Sequence, residues 1–240
     1  MIEWRDAGLV LAARPHGETA VILELLTRDH GRHLGVVHGG TSRRKAPILQ
    51  PGNQLDAVWK ARLDSHMGTW SVELRTSRAA TILSDPLRLA ALSSVTSLAA
   101  FALPERDPHP RFAARTEALC DAIASGEGWL PAYVAWEMGV LEISGLGLDL
   151  STCAATGATD DLAYVSPRTG RAVSQAGAGD WAMRLLPLPK MLLGGPADLP
   201  GIQASLDLTG HFLCQRLAPS LGDKPIPPAR DRFLDELRRV

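Results

Sequence analysis

The chain has 240 residues, of which 45% are hydrophobic and 21% charged. That is an ordinary globular composition and excludes disorder as the main state. The formal charge is −1, but residues 1–80 hold 11 Lys/Arg against 8 Asp/Glu and five of the seven histidines, while the remainder is net acidic. A basic first third permits a polyanion partner for that part and does not demand one.

The first 80 residues read as β. Ala7–Arg14, Thr19–Thr27 and Arg32–His38 are apolar, branched runs, and Leu55–Arg62 and Trp70–Arg75 alternate apolar and polar with the period of a half-buried strand. Gly and Pro breakers separate them: Pro15-His16-Gly17, Asp29-His30-Gly31, Gly39-Gly40 and Pro51-Gly52. Five short strands predict a small closed barrel, because closure removes exposed edges. An OB barrel is the first expectation and an SH3-like barrel its rival.

After Arg78 the period becomes helical. Asp85-Pro86 predicts a capped start, and Leu87, Ala91, Val95, Leu98 and Ala102 form one stripe ending at Pro104. Further helices are expected over Arg111–Ser125, from Pro131 to Gly145, through Ile202, Leu206, Leu213 and Leu217 to a stop at Pro219, and over Asp231–Val240. Between them, Leu162–Val165 and Arg171–Ser174 flank Ser-Pro-Arg-Thr-Gly and predict a β-hairpin. The fold class is thus α+β in two parts. Residues 1–78 are expected to form the barrel, and 79–240 a helical domain with a hairpin lobe at about 150–185.

Membrane and secretion signals do not emerge. The longest uncharged stretch, Leu89–Pro104, has 16 residues and includes three Ser and one Thr, short of the ~20 apolar residues a span needs. The N-terminus has an acid at position 3 and no apolar core after it, so no signal peptide is expected. Cys120, Cys153 and Cys214 are too few and too scattered for a disulfide framework and read as reduced thiols of a cytosolic protein.

Catalytic motifs are missing: no H-E-x-x-H, G-x-S-x-G or G-x-G-x-x-G occurs, and Gly39-Gly40-Thr-Ser-Arg-Arg-Lys lacks the end of a phosphate loop. Metal is not expected either. Cys153 has Thr156 where a C-x-x-C partner would stand, Cys120 and Cys214 fall on apolar helical faces, and His30, His33 and His38 sit on a turn and a strand with mixed directions. Glu137 lies on or beside the buried stripe of its helix, where a carboxylate must be hydrogen-bonded or paired.

The basic residues carry the main candidate site. Arg43-Arg44-Lys45 is the only run of three like charges. Lys60 and Arg62 share the polar face of one strand, and Arg14, Arg32, Arg75 and Arg78 lie on other strands or their ends. Together they could track a phosphate backbone, or simply solvate a barrel surface. Trp4, Trp59 and Trp70 could stack on bases, but they alternate in phase with apolar neighbours and read as core.

These residues also carry a resemblance. Arg14-Pro15 with Gly17-Glu18-Thr19, then Gly31-Arg32 and Gly39-Gly40 with Ser42-Arg43, resemble the N-terminal barrel of the RecO recombination-mediator family. Glu137, Leu141, Gly145 and the Cys153 segment are similar to its helical core, and Leu221-Gly222, Lys224-Pro225, Arg230 and Phe233 to its C-terminal signature. The resemblance implies an OB-fold followed by a helical domain, with no enzymatic turnover and no cofactor. It implies binding of single- and double-stranded DNA, for which Arg14, Arg32, Arg43, Arg44, Lys45, Lys60, Arg62 and Arg75 are the candidate contacts, together with strand annealing and recombinase loading with RecR and the single-strand-binding protein, in the cytoplasm at the nucleoid. The acidic tail of the latter would need an apolar slot rimmed by arginine. Arg111 and Arg115 (one turn apart), with Phe112 and with Tyr133 of the next helix, are the candidates. Some members hold zinc through four cysteines in the segment matching Cys153–Gly179, of which this chain keeps Cys153 alone. Two other classes stay open: a protein-interaction module, which would bind DNA without salt dependence or not at all, and an enzyme with a dispersed site, which would show a polar pocket around a titratable pair.

Overall fold

The computed structural model describes residues 1–240. They form two compact units, Met1–Glu127 with Pro227–Val240, and Gly128–Ile226.

The first unit is built on a closed barrel of five strands: β1 (Ile2–His16), β2 (Ala20–Thr27), β3 (Gly31–Val37), β4 (Gln54–Ala61) and β5 (Thr69–Thr76). Their order is β1-β2-β3-β5-β4, with β4 returning to β1 and β3 running parallel to β5. This is the OB topology. A register shift between Val10 and Ala12 bends β1, so that residues 2–9 pair with β4 and residues 8–16 with β2. Alternation sends Val10, Leu23, Leu25, Val37, Leu55, Ala57, Trp59 and Trp70 into the core. The expectation that Trp59 and Trp70 are core holds; Trp4 is half-buried against them.

Beside the barrel stand α1 (Pro86–Ala102) and α2 (Pro110–Ser125), with α7 (Pro228–Leu237) packed along α1. Asp85 caps α1 by accepting the Arg88 N–H, and Pro86 occupies its first position. α7 starts three residues earlier than its apolar pattern suggests, because Pro228 suits the first helical position and the next two residues, Ala229 and Arg230, are buried though they do not read as an apolar face.

Arg78 is not a surface cation. It is 2% exposed. Its guanidinium donates to Asp121 at 2.6 Å, to the Gly52 carbonyl at 3.2 Å and to Gln54 at 3.3 Å, and it lies 3.6 Å from Glu117. The end of the barrel is thereby tied to α2, through partners about forty residues away that periodicity cannot reveal.

The second unit comprises α3 (Trp129–Ile143), a lobe, and α5 (Leu199–Phe212). α3 begins two residues before Pro131, which the first turn tolerates because proline has no N–H to donate and a donor at that position would have no intrahelical partner. The lobe pairs β6 (Leu162–Val165) with β7 (Ala172–Ser174), followed by one turn, α4 (Gln175–Ala178); a third strand, β8 (Leu186–Pro187), completes the sheet in the order β7-β6-β8. The helix expected to stop at Pro219 instead widens into a π turn over Leu213–Leu217 and runs on into α6 (Ala218–Ser220). That turn keeps Leu213 and Leu217 buried and leaves Cys214 exposed, which corrects its reading as core; Cys120 is buried as expected. Glu137 is fully buried and accepts the Thr209 hydroxyl of α5 at 2.5 Å.

Candidate nucleic-acid interface

Strand register sorts the candidate cations. On the outer face of β1-β2-β3, Arg14 and Arg32 flank Glu24. Glu24 is 4% exposed and takes a 2.5 Å bond from Arg32, with Arg14 at 3.7 Å. Arg32 also donates to the Leu103 carbonyl at 2.8 Å, so it is a fixed cation, whereas Arg14 remains exposed. Half-buried Ile22, Leu34 and Val36 share this face and give it an apolar floor.

Arg43, Arg44 and Lys45 lie in the β3–β4 connection. Thr41 bonds the Thr19 carbonyl through both its N–H and its hydroxyl, at 3.2 Å each, which fastens this connection beside the β1–β2 turn. Arg43 and Arg44 are exposed and have neither an ion-pair nor a hydrogen-bond partner, while the Lys45 ammonium donates to the His38 carbonyl at 2.8 Å. Arg62 opens the β4–β5 loop, exposed and likewise unpaired.

Lys60 and Arg75 belong to a different face. They point out from β1-β4-β5, where Glu3 stands 3.1 Å from Lys60 and Asp56 3.9 Å from Arg75. The eight candidate cations therefore do not form one band. Arg14, Arg32 and the Arg43–Lys45 loop gather around the β1-β2-β3 face, whereas Lys60 and Arg75 sit in a neutral, mixed-charge face.

The sequence reading missed Arg106. Its backbone N–H bonds the Arg32 carbonyl at 2.8 Å, and Glu105 bridges to Arg32, so this segment covers the sparse β3–β5 seam. The Arg106 guanidinium donates to the carbonyls of Asp64 and His66 and lies 5.9 Å from the Trp59 ring centroid. Trp59 donates to the Met67 carbonyl at 2.9 Å. The β4–β5 loop is thus pinned from two sides. Gly31 makes this approach possible: its φ is +66°, and a Cβ there would stand 2.3 Å from the Asp107 carbonyl oxygen.

One end of the barrel is aromatic. Trp4 stacks on His30 at 3.7 Å and on Trp59 at 5.7 Å, with Trp70 and His33 edge-on. Both ring nitrogens of His33 are buried without a hydrogen-bond partner. Burial, then the positive charge of Arg106, pushes the His33 pKa down to about 4. His30 and His33 thus share a stacking cluster, and no group of three or more His, Cys, Asp or Glu side chains could hold a metal ion.

For the proposed tail slot, Arg111 and Arg115 are exposed on α2, while Phe112 and Tyr133 are buried, at 3% and 0% exposure. The arginines are the accessible part of that set. An apolar groove of the first unit lies elsewhere: about 570 Å³ between Pro47 and Pro51 of the β3–β4 connection and Leu83, Leu89 and Leu92.

Comparison with known proteins decides the family. Residues 1–78 match the model of the recombination protein O N-terminal domain, and residues 83–225 match that of its C-terminal domain. The chain belongs to the RecO family. It is 59% identical to the DNA repair protein RecO of Dinoroseobacter shibae, with both chains covered in full. It is 56% identical to that of Jannaschia sp. over 99% of this chain and 97% of the relative, and 54% identical to that of Ruegeria sp. over 99% of each. RecO proteins act in DNA repair and recombination, as mediators and not as enzymes. No helix of the chain is long and apolar enough to cross a membrane.

Proposed function

We propose that this RecO chain binds single- and double-stranded DNA through the outer β1-β2-β3 face of its barrel and anneals complementary strands. The reading rests on one observation: the unpaired cations Arg43 and Arg44 stand in a loop fastened beside this face. OB barrels present the face of strands 2 and 3, with the β1–β2 and β4–β5 loops, to oligonucleotides. Arg14 at its rim, Arg62 on the pinned β4–β5 loop, and the apolar floor of Ile22, Leu34 and Val36 suit a backbone-tracking groove under stacked bases. Phosphate contacts carry no base information, so binding is insensitive to sequence, as annealing of arbitrary strands requires. Residues 1–78 serve as the nucleic-acid-binding part and 79–240 as the platform for partners. RecR and the single-strand-binding protein are those partners in recombinase loading, in the cytoplasm at the nucleoid.

Oligonucleotide anisotropy across a salt series tests the reading. Affinity falls with salt with a slope of ~0.7 per phosphate contacted. A measurable slope together with accelerated annealing of complementary strands supports it. Absence of both returns the protein to the interaction-module alternative.

Arg111 and Arg115 support the partner half of the reading, since a pair of exposed guanidinium groups on one helical face suits an acidic tail. Loss of one charge-assisted contact, worth roughly 1.5–3 kcal/mol, weakens binding at least about tenfold. Titration of the tail peptide into Arg111→Ala/Arg115→Ala should show that loss with DNA affinity intact. Equal tail affinity in both proteins places the slot elsewhere.

A further inference from the structure

The lobe of the second unit holds two pairs of residues with knuckle spacing, Cys153-x-x-Thr156 and Ser174-x-x-Gly177. Such pairs, when all four are cysteine, make a tetrahedral zinc site. The fold brings these pairs together. The Cys153 sulfur accepts the Ser174 N–H at 3.2 Å and the Ser174 hydroxyl at 3.3 Å. A Cβ added at Gly177 would stand 2.9 Å from that sulfur, 3.0 Å from the Ser174 oxygen and 3.3 Å from Cγ2 of Thr156. Four sulfurs bound to zinc at ~2.3 Å are separated by about 3.8 Å. The Cys153 sulfur and the Ser174 oxygen lie near that spacing, and the 156 and 177 positions adjoin them.

The side chains themselves do not fit zinc. Only Cys153 is a zinc ligand, whereas hydroxyls stand at 156 and 174 and no side chain at 177. The zinc found in some family members has no ligand set in this chain. Hydrogen bonds occupy its place. The Ser174 oxygen also accepts the Gly177 N–H at 3.1 Å to cap α4. The backbone framing is kept as well: Gly157 N–H bonds the Cys153 carbonyl at 2.9 Å, and Cys153 N–H bonds the Ala158 carbonyl at 2.7 Å. Around this lies a small apolar cluster of Cys153, Val173 and Ala178, with Ala158, Leu162 and Tyr164 against it.

We propose that this lobe is a zinc knuckle converted to work without metal, in which the buried Cys153 sulfur accepts both donors of Ser174 and so joins the two loops that an ion would otherwise join. Two consequences separate this from a lobe that merely lacks cysteines. The wild-type lobe is indifferent to metal, and its backbone is still shaped for the ion, so restored ligands should find zinc. Gly177 does not have a left-handed φ, so its backbone is not strained by a side chain, but the Cys153 sulfur must shift to admit one.

The experiment compares wild type with Thr156→Cys/Ser174→Cys/Gly177→Cys, both full length and free of any tag. Elemental analysis should find less than 0.1 zinc per wild-type chain, and chelator should leave the exchange of lobe amides unchanged. Cobalt(II) added to the reduced triple variant should give the intense visible bands of a tetrahedral thiolate site, saturating at one ion per chain, with no such bands in wild type. A triple variant that folds only with zinc counts for the proposal in the same way. Should it aggregate under all conditions, Thr156→Cys/Ser174→Cys, which leaves Gly177 untouched, gives the same readout with three thiolates. Stoichiometric zinc in wild type overturns the proposal, as does a folded triple or double variant without tetrahedral cobalt bands.

Discussion

The barrel and the lobe are both antiparallel β structures, but they are held together in different ways. The barrel has strands of seven to fifteen residues and a core of large side chains, with Trp59 fully buried and Trp70 nearly so. The lobe has strands of four, three and two residues around a core of three small ones. Burial at ~25 cal/mol per Å² stabilises the first and cannot do so for the second. A unit that small needs a staple, and here a sulfur with its hydrogen-bond donors provides it.

The largest effect should come from the barrel. Trp59→Ala removes a buried indole and its bonds to the Leu34 and Met67 carbonyls, and should cost about 4 kcal/mol. Urea unfolding followed by barrel-specific amide exchange measures it. A cost below about 1 kcal/mol would mean that the aromatic core does not hold the barrel.

Acid comes next. A base whose folded pKa is depressed binds its proton more readily when unfolded, so stability falls as pH drops from 6.5 toward 4. For His33, buried and facing Trp4, Trp59, Trp70, Arg106, His30 and Asp64, that range amounts to about 3 kcal/mol. His33→Leu should flatten the stability profile over this window and leave neutral-pH stability equal or higher, since two unpaired ring nitrogens are removed. An unchanged profile would show that the His33 ring has access to water.

The smallest change belongs to the lobe. Cys153→Ala leaves the Ser174 N–H and hydroxyl without their acceptor and should cost roughly 1–2 kcal/mol, felt as faster exchange of amides in residues 153–178 alone. Equal exchange in both proteins would remove the sulfur as staple.

Much of this was legible in the sequence, for physical reasons. Period-2 alternation and Gly or Pro breakers marked the five strands, and Asp85-Pro86 marked a helix start because capping chemistry is local. The π turn and β8 escaped, since one depends on packing of Leu213 and Leu217 and the other is two residues long. Charges were the hardest to read. Lys60 and Arg75 look like Arg43 and Arg44 in composition, and only strand register places Glu3 and Asp56 beside the first pair. Arg78 and Arg106 are set by partners distant in the chain.

That division of cations is the central claim, and the salt dependence of single-strand affinity tests it most directly. Arg43→Ala/Arg44→Ala should lower the slope by about 1.4, from two contacts at ~0.7 each, uniformly across sequences. Lys60→Ala/Arg75→Ala should leave it where it was, because both cations are already neutralised by neighbours. A slope lost with Lys60 and Arg75 but kept without Arg43 and Arg44 would put DNA on the β1-β4-β5 face and contradict the account.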